Sequence, residues 1–220
     1  MGRLSFLVAI LLSFVMISAM AEAQSTSKVL MIPREGKSAN LDLMLSKQVF
    51  VMIELLQKAG FKVVVASVSG QPLEGVVHKL NFDLKLSEVN IDDYVGVALP
   101  CMATGIFPGP PISPALVSLV KKAVAKGKPI AAPLGAVYIL AEAGALKGKR
   151  YAFLDDAFNP PPPNQKDPRF EGAIYGGSGL VQDGNIITSG RCPNIEARMG
   201  IPDNTPELTR AFIKMLGQKK

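Results

Sequence analysis

The chain has 220 residues, 48% of them hydrophobic, with a formal net charge of +6, two cysteines and one histidine. That length and apolar content suit one globular core, and a single histidine excludes a histidine-rich zinc site by count. The positive excess is scattered over Lys121, Lys122, Lys126, Lys128, Lys147, Lys149, Arg150, Lys219 and Lys220. It has no aromatic interleaving and no helix-turn-helix pattern, so it reads as solvated surface and argues against a nucleic-acid partner.

In chain order, Arg3 precedes an apolar run from Leu4 to Met20, and small residues follow at Ala19, Ala21 and Ala23. This has the form of a secretory signal peptide over 1–23, cleaved to leave 24–220 as a single domain. The expectation is a secreted or periplasmic protein with no membrane association after cleavage. Both cysteines, Cys101 and Cys192, would then meet an oxidising compartment, which permits a disulfide.

Val29 to Pro33 reads as the first strand, with Glu35 just beyond it where such folds often face a ligand; Arg34 and Lys37 beside it read as solvated. Ser38 to Ala59 has helical spacing, with Leu41, Leu45, Phe50, Ile53 and Leu56 on the apolar face and Gly60 as the stop. Phe61 to Ser67 is β-branched and short, a second strand. Val68 to Asp92 is polar and broken by Gly70 and Pro72, and holds His78, read as a surface or loop residue. Val95 to Pro100 is a third strand. The Pro- and Gly-rich segment Cys101–Ile112 cannot be helix.

Ser113 then reads as an N-cap with Pro114 at the first helical position, and Gly127 ends that helix. Ile130 to Pro133 is a fourth strand followed by a tight turn and a helix, and Arg150 to Leu154 is a further strand. Asp155 and Asp156 follow it, but adjacent residues in extended chain point to opposite sides, a poor catalytic pair. Asn159 to Asn164 is a proline-rich loop. Asp183-Gly184 between two apolar runs signals a hairpin, and Thr205-Pro206-Glu207 opens the last helix. Alternating strands and helices point to a mostly parallel sheet covered on both faces, a flavodoxin-like α/β sandwich. Its sites lie beyond the carboxyl ends of the strands, where Cys101 and the 133–135 turn both fall.

Three stretches carry a family resemblance. Lys128 to Lys149 (KPIAAPLGAVYILAEAGALKGK), Asp92 to Pro100 (DDYVGVALP) and Asp183 to Ser189 (DGNIITS) occur in order and resemble the ThiJ/PfpI superfamily of class I glutamine-amidotransferase-like proteins. The resemblance covers nearly the whole mature chain and implies the same sandwich, with a homodimer. It also implies a cysteine nucleophile at the turn, but Leu134 stands there, and Gly135 stands where a histidine often follows. A Leu side chain cannot attack a carbonyl. The family's Gly-Gly after the third strand is replaced by Cys101-Met102, and the position of its acid falls near Gln48, with Glu35 or Asp42 as substitutes.

The resemblance places the loop holding Arg191 and Cys192 beside the same pocket, giving a ligand-pocket set of Glu35, Cys101, Met102, Leu134, Gly135, Arg191 and Cys192. Arg191 is read either as a partner for a ligand carboxylate or as a surface residue. Cys101 and Cys192 are read as a disulfide, as two free thiols, as a redox pair, or with Cys101 as a relocated nucleophile. The functional expectation is an exported pseudoenzyme that binds a small-molecule ligand or protein partner, with no cofactor and no metal. The alternative is a hydrolase or glyoxalase-type enzyme using Cys101.

Overall fold

The computed structural model describes residues 27–35, 40–101, 111–154 and 167–217. The segment expected to be a signal peptide, Lys37, Met102, Asp155, Asp156 and the proline-rich loop lie outside the described residues.

A seven-stranded sheet runs in the order β10-β11-β7-β6-β1-β2-β5. Its strands are β1 (Lys28–Met31), β2 (Lys62–Ser67), β5 (Leu84–Lys85), β6 (Gly96–Ala98), β7 (Ile130–Pro133), β10 (Leu180–Asp183) and β11 (Ile186–Ser189). All neighbours pair in parallel except β10, which pairs antiparallel with β11. The hairpin expected at Asp183-Gly184 is this pair, with Gly184 at φ 59° in the turn. The central strands β1, β6 and β7 are almost wholly buried, as strands covered on both faces must be.

The first helical segment is not uniform. It comprises α1 (Leu41–Met44), a π-helical turn (Leu45–Val49) and α2 (Phe50–Lys58). A π turn inserts one residue into the helical register. Here it buries Leu45, Gln48 and Val49, while Phe50 and Ile53 pack only partly buried against the core. Helix α3 (Pro114–Ala125) begins where expected, but Ser113 makes no side-chain cap, so Pro114 with its fixed φ starts the helix. The strand expected over Arg150 to Leu154 is shorter. β8 (Arg150–Tyr151) pairs with β9 (Ile174–Tyr175) in a separate two-stranded ribbon.

Helix α6 (Thr205–Gly217) packs on α2, β7 and β11, whereas α3 packs on α4 (Val137–Glu142), which lies against β7. The result is a three-layer sandwich. Gly96 in β6 marks a close approach of sheet to helix: a Cβ there would lie 2.5 Å from Leu216 Cδ2 and 3.0 Å from the Pro129 carbonyl. Gly96→Ala should therefore destabilise the fold by about 1–3 kcal/mol, read from urea unfolding.

The segment after β2, which reads from sequence only as a broken polar stretch, holds the hairpin β3 (Leu73–Glu74) and β4 (Lys79–Leu80). Asp42 on α1 pins its tip, accepting from the amides of Val76 (2.8 Å), Val77 (2.9 Å) and His78 (2.7 Å), with His78 Nδ1 at 3.3 Å. These amides, His78 and Val77 foremost, hold the carboxyl at about 2, below its ordinary value. A depressed carboxyl stabilises the fold at pH above its unfolded value and loses that contribution as pH falls through the folded one. The amide resonances of Val76, Val77 and His78 should stay constant on acidification to about pH 3 and then move together, an NMR titration that Asp42→Asn should abolish.

Candidate functional site

Strand order reverses between β1 and β6: the chain leaves β1 for β2 on one side and returns to β6 on the other. At such a switch point the loops at the carboxyl ends part and leave a crevice. Arg34 follows β1 and Cys101 follows β6, so both lie at this crevice. Cys101 is 1% exposed and Arg34 8%. The solvated reading of Arg34 is therefore corrected. The guanidinium is folded into the protein, where burial lowers its pKa and the field of Cys101 works the other way.

The turn after β7 supplies the next part of the site. Leu134 is the one described non-glycine residue with positive φ, at 38°. A strand reversing into a helix within one residue forces this, at about 1–3 kcal/mol of backbone strain. The Leu134 side chain is buried at 1% exposure, so this turn presents an apolar group to the core. The Gly135 N–H, next in the 3₁₀ turn Leu134–Ala136, donates to Cys101 Sγ at 3.2 Å.

Gln48, delivered by the π turn, completes the floor. Its Oε1 accepts from the Cys101 backbone N–H at 2.7 Å, and its Nε2 donates to Thr205 Oγ1 at 3.2 Å. Thr205 Oγ1 in turn donates to Asp203 Oδ1 at 2.8 Å. The relay has one direction only, because the Cys101 amide can only donate and so fixes the Gln48 oxygen. Burial raises the Asp203 pKa, against the bonds it accepts from Thr205.

Cys192, with no exposed surface, is the N-cap residue of α5 (Pro193–Met199), a helix the sequence did not announce. Its thiol lies close enough to Cys101 for the two to interact, and no disulfide joins them in this structure. The Cys101 side chain, then burial, push the Cys192 pKa well up.

The other predicted residues are placed as follows. Glu35 does not turn to Cys101: its carboxylate accepts from the amides of Val68 (2.6 Å) and Ser69 (3.1 Å) and from the Ser69 hydroxyl, fixing the turn after β2. Asp42 is occupied by the hairpin. The Arg191 Nε is buried and has no hydrogen-bond partner among the described residues.

Arg169, which sequence reading passed over, has its guanidinium carbon 4.7 Å from the centre of the Tyr138 ring. It also forks onto Asp167 and lies 3.5 Å from Glu142. Its charge is felt at Arg34.

A cleft of about 400 Å³ lies at the opposite, amino end of the sheet, lined in part by Ser27, Phe61, Val95 and Pro129. Its lysines are committed, Lys126 to Asp92 and Lys128 to the Tyr94 carbonyl. Among the described residues no cluster of His, Cys, Asp and Glu has the makings of a metal site, and no helix is long and apolar enough to cross a membrane.

Residues 41–198 match the DJ-1/PfpI family. The chain belongs to that family. It is 29% identical over 196 residues to an uncharacterised protein of Methanocaldococcus jannaschii, covering 83% of this chain and 88% of that one. An uncharacterised protein of Archaeoglobus fulgidus is 32% identical over 178 residues, covering 77% and 90%.

Among solved structures, a ThiJ/PfpI domain protein from Brachyspira murdochii superposes with a TM-score of 0.65 at 18% identity, covering 90% of this chain and all of that one. DJ-1beta of Drosophila melanogaster superposes with a TM-score of 0.59 at 24% identity, covering 88% and 92%. At these identities the structural likeness speaks to the fold, the flavodoxin-like sandwich.

Gln48→Ala should cost about 3 kcal/mol in chemical denaturation, because it leaves a cavity and an unpaired Cys101 amide and removes the bond that the Thr205 hydroxyl accepts. Gln48→Glu keeps the acceptor for Cys101 but faces Thr205 with an oxygen, and should cost less than the alanine variant only at acid pH, where the new carboxyl is protonated.

Proposed function

We propose that this chain is an exported DJ-1/PfpI-family protein that binds a small ligand or a protein partner at the carboxyl edge of its sheet without turning it over. The observation that carries this reading is Leu134. The residue at the strained turn between β7 and α4 is an apolar, buried side chain, with no nucleophile to present. Two further features support it. Gln48 is neutral and spent on structure, so no acid is available from α1 or the π turn to activate a thiol. Arg34 and the partnerless Nε of Arg191 give the surroundings a positive character suited to a carboxylate-bearing ligand.

The purified protein should show no turnover of esters, amides or glyoxals above the uncatalysed rate. Ligand-observed NMR against a panel of small carboxylates should detect binding that Arg191→Ala weakens about tenfold, the loss of one charge-assisted pair. Turnover that survives Cys101→Ala would sink this reading.

A second reading has its own observation. The Gly135 N–H aimed at Cys101 Sγ stabilises negative sulfur, as an activated thiol requires. Under that reading Cys101 is a relocated nucleophile, and iodoacetamide should label it at half-maximal rate well below about pH 8.5, the value of an ordinary thiol. A Cys101 that alkylates only at higher pH, or only after unfolding, leaves the binding reading alone.

A further inference from the structure

Two thiols are brought to the same end of the sheet by elements far apart in the chain. Cys101 ends the segment after β6, and Cys192 opens α5. Both are almost fully buried, and both converge on the turn after β7: Ser189, three residues before Cys192, pairs with Pro133, and the Gly135 N–H just beyond Pro133 meets Cys101 Sγ. The single histidine, His78, is bound to Asp42 on the β3–β4 hairpin. The two sulfurs are not equivalent. Cys101 Sγ receives the Gly135 N–H from the turn after β7, while the neighbouring Cys101 side chain and burial hold Cys192 in its protonated form. An amide donor favours the thiolate, and burial beside a second sulfur disfavours it.

We propose that Cys101 and Cys192 form a reversible dithiol–disulfide couple, in which Cys101 reacts first and Cys192 closes the bond. This goes beyond ligand binding and does not depend on it. With a small disulfide such as oxidised glutathione as the oxidant, the Cys101 thiol loses its proton and its sulfur attacks one glutathione sulfur. The glutathione disulfide breaks, and one glutathione leaves as a thiolate that takes up that proton. A mixed disulfide remains on Cys101.

The Cys192 thiol then loses its proton and its sulfur attacks Cys101 Sγ. The mixed bond breaks, and the second glutathione leaves with the Cys192 proton. Two protein thiols are oxidised to one disulfide, and one glutathione disulfide is reduced to two thiols. Closure joins the end of β6 to the start of α5. Because both sulfurs are buried, exchange is slow and the equilibrium is the property to read.

The purified protein is equilibrated across a series of glutathione redox buffers, quenched in acid, alkylated after unfolding and peptide-mapped. Wild type should pass in one transition from two alkylated cysteines to a linked Cys101–Cys192 peptide pair. Cys192→Ser should instead accumulate glutathione on Cys101. Cys101→Ser should carry at least about tenfold less glutathione on Cys192 under the same buffer.

Both wild-type thiols remaining reduced through the most oxidising buffer would overturn the couple, and adducts forming chiefly on Cys192 would overturn the assigned order. Alanine versions of both variants, checked for native circular dichroism, guard against serine-induced misfolding, and the wild-type titration needs no variant. Carboxylate binding by Arg191 is scored separately, so loss of one result leaves the other standing.

Discussion

The tight reversal between β7 and α4 is the constraint on which the site depends. One residue must turn a buried parallel strand into a helix, so the backbone at Leu134 is held in the left-handed region. Once that turn is made, the Gly135 amide projects toward the neighbouring strand end, where the Cys101 sulfur meets it. The segment after β6 is then fixed from two sides, by Gly135 at the side chain and by Gln48 at the backbone. A non-glycine residue in such a conformation persists only when its surroundings hold it there. Here the surroundings are a fully buried strand, a fully buried Leu side chain and the first turn of α4.

Polar groups beneath the turn are matched rather than charged. Gln48, Thr205 and the Cys101 amide each find a partner, and the only carboxylate in the chain of bonds, Asp203, stands at its far end. An amide side chain at this position satisfies a donor and an acceptor at once, which a carboxylate cannot do. A fully satisfied buried network specifies one arrangement of its elements. It ties the π turn, the end of β6 and the start of α6 into one unit.

Much of this architecture was legible in the sequence. Short apolar runs ending in Pro and the β-branched run Phe61–Ser67 gave the central parallel strands, Asp183-Gly184 gave the antiparallel edge pair, and Leu134 in place of a nucleophile was visible from the motif alone. What escaped has physical causes. The π turn has no composition signature, since Leu45–Val49 continues the apolar spacing of a regular helix; only the structure shows that it turns Gln48 inward.

Arg34 reads as a surface cation because its burial is imposed by strand order, not by its neighbours in sequence. The helix α5 was hidden because it is only seven residues long and opens on Pro193, although proline is well suited to a first helical turn. Arg169 stacks on Tyr138 across a stretch of chain that no local pattern spans. The ribbon of β8 and β9 joins strands of two residues each, too short to declare themselves.

The position of β11 has a consequence for how the chain becomes folded. β7 lies between β6, which precedes it in synthesis, and β11, which follows it by more than fifty residues, and the helix that covers β7 and β11 comes last of all. A chain that has paired only β1, β2 and β6 leaves the β6 edge open, and no contact local in sequence can close it. Pairing at such sequence separation pays its loop-closure entropy before any contact rewards it, and so comes late. The order of elements therefore points to a fold completed by its last segments, with β11 and α6 closing the sheet edge and face in one late step.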